Sequence, residues 1–187
     1  MDQRAVDLKE LVDALPRGRV LHNYIVPGLR STLLAELPGG GKMRMFEMER
    51  DQEHYVVPHT HRYSFHAWVL EGSVTQMVYD VYDTKEAANA KWMVMRYDHV
   101  ARVLDPEPHQ YLTGNIARRE HARGERYGMR HDEYHSIRFS SGARVLMLEG
   151  PPVGKGMSRV LLPVVAGRVC DNFFVRDWMM EENKDGR

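Results

Sequence analysis

His59 and His61 stand one residue apart in "PHTHRYSFHAWVLEG" (58–72), directly after Pro58. In an extended chain residues i and i+2 project from the same face, so the two imidazoles would lie side by side on one side of a sheet. Imidazole is a common ligand for iron, copper, nickel and zinc, and two of them make half of a typical site. An H-x-H pair alone does not decide between a ligand pair and a strand that carries polar residues. A third histidine, His135, lies in the strand-like run "YHSIRF". It reaches the first two only if distant strands close on one another, as they do in a barrel.

The elements that must position these residues follow from periodicity. Leu8, Leu11, Val12 and Leu15 keep the spacing of a helix with one apolar face, and Pro16 stops it. A second short helix is expected at "STLLAEL" (31–37), closed by "PGGG". From residue 41 the texture changes. "KMRMFEM" alternates and then shifts phase, as a strand with a bulge would. Further strands are expected at "EHYVVP", "FHAWVL", "VTQMVYDVY", "KWMVMRY", "YHSIRF", "ARVLMLEG", "SRVLLPVV" and "VCDNFFV". The charged, aperiodic stretch 104–126 reads as a long loop across the barrel mouth. Many short strands, with helices confined to one end, define an all-β sandwich or barrel.

A chain of 187 residues with 43% apolar and 28% charged residues fits one soluble domain. Lys plus Arg equal Asp plus Glu, 26 each, so no overall basic field draws nucleic acid or membrane. The single cysteine, Cys170, cannot form an internal disulfide, and a reducing, cytoplasmic setting is expected. The N-terminus lacks the pattern of a signal peptide, and no apolar run is long enough for a membrane span.

The histidine segment resembles the first motif of the cupin superfamily, G-x5-H-x-H-x3,4-E-x6-G. His59, His61 and Gly72 hold their places, while Phe65 stands in the glutamate slot and Glu53 in that of the leading glycine. The second motif, G-x5-P-x-G-x2-H-x3-N, matches Gly124 and His135 at the required separation. Arg130, Asp132 and Phe139 occupy its proline, inner glycine and asparagine slots. The resemblance implies a cupin-type jelly-roll β-barrel with short N-terminal helices, divided as a helical segment (1–40), the barrel (41–178) and a polar tail (179–187). It also implies a metal held by His59, His61 and His135 without a carboxylate.

Three neutral imidazoles leave a divalent metal its full charge and open positions for dioxygen and a chelating molecule, a relative of the 2-His-1-carboxylate arrangement. Cupins of the three-histidine type are similar to thiol dioxygenases and related oxygenases, which points to Fe(II), with Zn, Ni or Cu as other occupants. The serine-histidine-tyrosine relay of cysteine dioxygenase is absent, because neither histidine nor tyrosine follows His135. Tyr63 and Tyr127 are candidate catalytic hydrogen-bond donors. Arg44, Phe65 and His66 are candidate substrate-binding residues; a bulge after Arg62-Tyr63 would swing His66 inward as a fourth ligand. Arg62, Arg96 and Arg138 are further strand-borne cations. The glycines of "PGGGK" and "GPPVGKGMSR" lack phosphate-loop spacing and read as turns.

The expected function is a metal-dependent dioxygenase acting on a small organic molecule. The alternatives are a cupin-type isomerase or epimerase, and a non-catalytic metal or small-molecule binding module. A homodimer is expected, with no nucleic-acid or membrane partner.

Overall fold

Most of the runs rich in valine, leucine, methionine and tyrosine fold as antiparallel strands, because each can bury one face while its backbone pairs laterally. The computed structural model describes residues 8–52, 55–84, 90–98, 103–153, 157–165 and 168–169. One short helix, α1 (Leu8–Asp13), precedes β1 (Val20–Leu21), β2 (Leu29–Glu36), β3 (Lys42–Met48), β4 (Phe65–Glu71) and β5 (Ser73–Asp83). Then follow β6 (Trp92–Asp98), β7 (Val103–Ala122), β8 (Arg126–Met129), β9 (Tyr134–Phe139), β10 (Arg144–Glu149), β11 (Met157–Val165) and β12 (Arg168–Val169). They form two sheets, ordered β1-β2-β3-β10-β4-β8 and β12-β11-β6-β7-β5-β9. Sequence neighbours are thus distributed between two facing antiparallel sheets, the jelly-roll arrangement.

Segment 55–61 ties together two strands of the second sheet. His59 exchanges both backbone hydrogen bonds with His135 of β9, at 2.9 and 3.0 Å, while Leu161 of β11 donates to the Pro58 carbonyl at 2.8 Å. Thr60 donates in turn to the Arg159 carbonyl at 2.8 Å. Pro58 lacks an N–H, so it fits the one position that accepts from β11 without donating back.

The main core lies between the sheets and is built from alternate residues such as Phe46, Met48, Phe65, Ala67, Val69, Val145, Met147, Ile137 and Phe139. A second cluster, Trp92, Val94, Leu112, Tyr134 and Leu161, is drawn from β6, β7, β9 and β11. A third covers the outer face of the first sheet, where Val12 of α1 packs with Met45, Leu70 and Leu146. Ion pairs from Arg144 to Asp13 and from Lys9 to Glu71 hold the helix there.

Four sequence expectations change. In the expected strand "EHYVVP", the described residues 55–58 are irregular and form no ladder. Residues 31–37 belong mostly to strand β2, not to a second helix. Ser31 and Thr32 are buried, and Leu34 packs on the outer cluster, so both faces of β2 are covered and its apolar residues fall in both phases. The same double covering explains the phase shift in "KMRMFEM". Met43 and Met45 face α1 while Phe46 and Met48 face the core, so β3 runs straight and the bulge lies in β2, between Leu33 and Ala35. Stretch 104–126 is strand for most of its length: β7 pairs with β5 from Ser73↔Ala122 to Asp83↔Leu112. Its ladder is made by backbone, and residues 115–120 are exposed, so no apolar alternation was needed. Most of "VCDNFFV", Cys170 and the tail 179–187 lie outside the described residues.

Candidate metal centre

The strands deliver three imidazoles to one point inside the barrel. His59 lies on the tying segment, His61 follows it with its amide on the His131 carbonyl (3.2 Å), and His135 is the second residue of β9. One ring nitrogen from each lies within 4.8 Å of the others. The ring centroids of His59 stand 4.8 Å from those of both His61 and His135, and the last two stand 5.0 Å apart. His59 donates from Nδ1 to the Val57 carbonyl at 2.7 Å, which leaves Nε2 facing inward with a free lone pair. His61 Nε2 and His135 Nε2 approach to 2.8 Å.

Burial favours the neutral form of two of these rings. Burial pushes the pKa of His59 down, against a partial lift from its bond to Val57. Burial pushes His135 well below the usual histidine value, and the neighbouring His59 and His61 add to the effect. A neutral imidazole is the form that ligates a metal. The donor set therefore fits a divalent transition ion: three imidazole nitrogens, close together, with an outward nitrogen on two of the rings held by a fixed partner. No carboxylate belongs to this group among the described residues.

Phe65 stands beside the cluster, edge-on to His61 at 5.0 Å and 6.1 Å from His135. At 1% exposure it seals that side with an apolar ring. Above the histidines opens a cavity of about 160 Å³. Its walls are mainly apolar, including Tyr24, Phe46, Tyr97, Ile137 and Phe139, with Thr60, Arg62, Tyr63 and Ser158 supplying polar atoms.

Tyr63 lines this cavity with its ring 5.6 Å from His61, and its hydroxyl donates to Glu149 Oε1 at 3.2 Å. Burial, reinforced by Tyr24 and Glu149, pushes the phenol well above its ordinary pKa, so it remains a donor. Arg44 pairs through Nε with Glu149 at 2.8 Å and sits over the Tyr24 ring. It is not among the cavity-lining residues, and its charge is matched by the buried carboxylate. Tyr127 lies behind Phe65, with ring centroids 6.1 Å apart, and its buried hydroxyl has no hydrogen-bond partner among the described residues. His66 is exposed on the outer face of β4, against Gly128 and near Trp68, because β4 alternates from Phe65 to Val69 and its bulge falls beyond, at Leu70. It is not brought to the cluster. Arg96 pairs loosely with Asp105 at 3.9 Å, and Arg138 lies over the Tyr55 ring. Of the cations considered from sequence, Arg62 alone lines the cavity.

Two residues that sequence reasoning passed over complete the surroundings. Gln76 of β5 is 2% exposed and donates from Nε2 to His135 Nδ1 at 3.2 Å, while its Oε1 accepts from His121 Nε2 at 3.2 Å. Glu149 is 4% exposed and joins Tyr63 to Arg44. One signal was available for both. Gln76 shares its strand face with Val74, and Glu149 shares its own with Val145 and Met147, so each is a polar residue on an inward face.

No family model matches the chain, and no curated protein does. Among solved structures, cupins are similar to it. KdgF from Halomonas sp. aligns at 14% identity over 74% of this chain and 90% of that one, with a TM-score of 0.39. A cupin superfamily protein from Desulfitobacterium hafniense aligns at 10% identity over 82% of this chain and 94% of that one, with a TM-score of 0.39. Hydroxypropylphosphonic acid epoxidase from S. wedmorenis aligns at 12% identity over 74% of this chain and 56% of that one, with a TM-score of 0.42. Likeness at this level is a matter of fold, and the functional argument rests on the site.

Proposed function

We propose that this chain is a metal-dependent oxygenase of the three-histidine type, holding Fe(II) through His59, His61 and His135 and acting on a small, largely apolar organic molecule. The observation that carries the reading is the convergence of three imidazole nitrogens within 4.8 Å, beside an apolar cavity and with no carboxylate in the group among the described residues. When bound, such an ion supplies adjacent open positions at which dioxygen and a chelating group are brought together.

The chain's own residues do the rest. His59 is held in its ligating tautomer by Val57, and burial keeps His135 unprotonated. Phe65 and the cavity's aromatic walls exclude water, which strengthens polar interactions inside and protects reactive species. Tyr63 gives its hydroxyl hydrogen to Glu149, whose charge Arg44 balances, and so presents its oxygen at the cavity wall as a fixed acceptor. Arg62 and Ser158 provide polar anchors for one end of a molecule whose body lies against Phe46, Ile137 and Phe139.

The isomerase reading is weaker, since the bases it needs in the cavity would be the same imidazoles that the metal takes as ligands. Tyr63 is held protonated, and no carboxylate lines the cavity among the described residues. A homodimer stays part of the proposal, with Leu8, Leu11 and Val20 exposed at 37%, 54% and 39% as apolar surface for it.

Elemental analysis of untagged protein, followed by anaerobic Fe(II) reconstitution and oxygen-consumption assays, tests the reading. Near-stoichiometric iron is expected, and a folded His59→Ala, His135→Ala double variant should lose it. Protein that takes up no metal even under nitrogen would falsify the oxygenase reading; zinc or nickel retained in place of iron would turn the search toward non-redox chemistry.

A further inference from the structure

We propose that Gln76 is a positioning residue that sets the tautomer of His135 and transmits the state of the metal centre to His121, near the protein surface. This rests on the metal reading above.

The hydrogen bonds around Gln76 form a line. Its amide nitrogen faces His135 Nδ1 at 3.2 Å and Met129 Sδ at 3.6 Å, and its amide oxygen faces His121 Nε2 at 3.2 Å. The amide is fully enclosed, so its partners determine its orientation. As it stands, Gln76 donates to Nδ1 of His135. That ring, neutral in its buried site, then carries its proton on Nε2 and points it at His61 Nε2, 2.8 Å away. One proton is thereby shared between two nitrogens that both face the site, a consistent arrangement for the metal-free protein.

Metal ligation requires the opposite arrangement. Nε2 of His135 must offer its lone pair, so the proton moves to Nδ1, which becomes a donor. A donor facing the Gln76 NH2 group leaves both groups unsatisfied in a buried place. Turning the amide by a half-rotation resolves this, since Oε1 then accepts from His135 and Nε2 points toward His121. His121 must present an acceptor in turn, and its own proton moves from Nε2 to Nδ1. The contact with Met129 Sδ is given up, which favours the first orientation when no metal is bound. His121 is part-buried and stacked on Tyr127 with centroids 4.5 Å apart, so its ring is held while its proton changes place.

The test uses full-length protein with 15N-labelled histidine. Long-range 1H–15N spectra distinguish Nδ1–H from Nε2–H rings, and Zn(II) serves as a diamagnetic probe. Zinc loading of the wild type should move His121 from the Nε2–H to the Nδ1–H tautomer. In Gln76→Leu this response should vanish, and zinc affinity, read by competition with a chromophoric chelator, should fall about 10- to 100-fold. Gln76→Glu, whose carboxylate accepts from His135 in either orientation, should keep affinity close to that of the wild type. Zinc bound with no change at His121, or with undiminished affinity in Gln76→Leu, overturns this inference alone. A wild type that binds no zinc overturns it together with the metal reading.

Discussion

Three neutral imidazoles bind a divalent ion only while they stay neutral, so the residues that ligate also tie stability to pH. His59, His135 and His121 all have pKa values below the ordinary 6.5, chiefly through burial. Between that value and each lowered one, the unfolded chain binds a proton that the folded protein does not. Unfolding then takes up protons, so stability is full above the unfolded value and is lost as the pH falls through it. Each such histidine contributes a slope of up to about 1.4 kcal/mol per pH unit. Urea unfolding of the metal-free protein should show a midpoint that declines from neutral pH toward about pH 5, above the range where ordinary carboxylates titrate. His135→Gln should flatten the decline; a flat wild-type profile would contradict the neutral, buried cluster. Phe65 gives a second prediction. Its ring packs against His61 and Tyr127 at 1% exposure, so Phe65→Ala should destabilise the fold by about 3–5 kcal/mol in denaturant titrations.

At the scale of elements, the hairpin between β4 and β5 turns on Gly72, the glycine that closes the first motif. Its φ is +67°, and a Cβ placed there would lie 2.7 Å from Ser140 Oγ and 2.8 Å from the Ala143 backbone. Gly72→Ala therefore combines a left-handed residue with a backbone clash and should cost on the order of 2–3 kcal/mol. A shift in thermal midpoint with little change in far-ultraviolet dichroism would read this out, and an unshifted midpoint would contradict the tight turn. Gly72 and the histidine spacing were legible in sequence because such positions tolerate few residue types. So were β4, β5, β9 and β10, whose strand-forming runs stand between turn residues. β2 and β3 were harder, since strands buried on both faces lose the alternation that marks one buried side. The charged half of β7 escaped altogether, because its pairing with β5 is made by backbone groups that side chains do not report. Gln76 and Glu149 carried a readable signal, a polar residue in an inward phase, but their partners lie 59 and 86 residues away and only the fold brings them together.

For the whole molecule, the centre adds a side-chain link to parts of the chain that backbone pairing already brings together. His59 and His61 lie on the segment that bridges β9 and β11, and His135 lies on β9 itself. An ion shared by these residues stabilises the closure of the barrel as well as forming a site. Binding to the folded state alone adds about 2.7 kcal/mol at a free metal concentration of 100 Kd. In a domain of this size each kcal/mol raises the thermal midpoint by roughly 2–4 °C, so metal should lift it by roughly 5–11 °C. Calorimetry with and without Fe(II) under nitrogen, or with Zn(II) in air, measures the lift directly. The His59→Ala, His135→Ala variant should show none, whereas Tyr127→Phe, which alters a hydroxyl outside the cluster, should retain it in full. Equal lifts in the wild type and the double variant would place the metal elsewhere on the chain. A lift confined to proteins that keep both histidines would instead tie barrel closure and metal binding to one set of residues, with segment 55–61 as the element on which both depend.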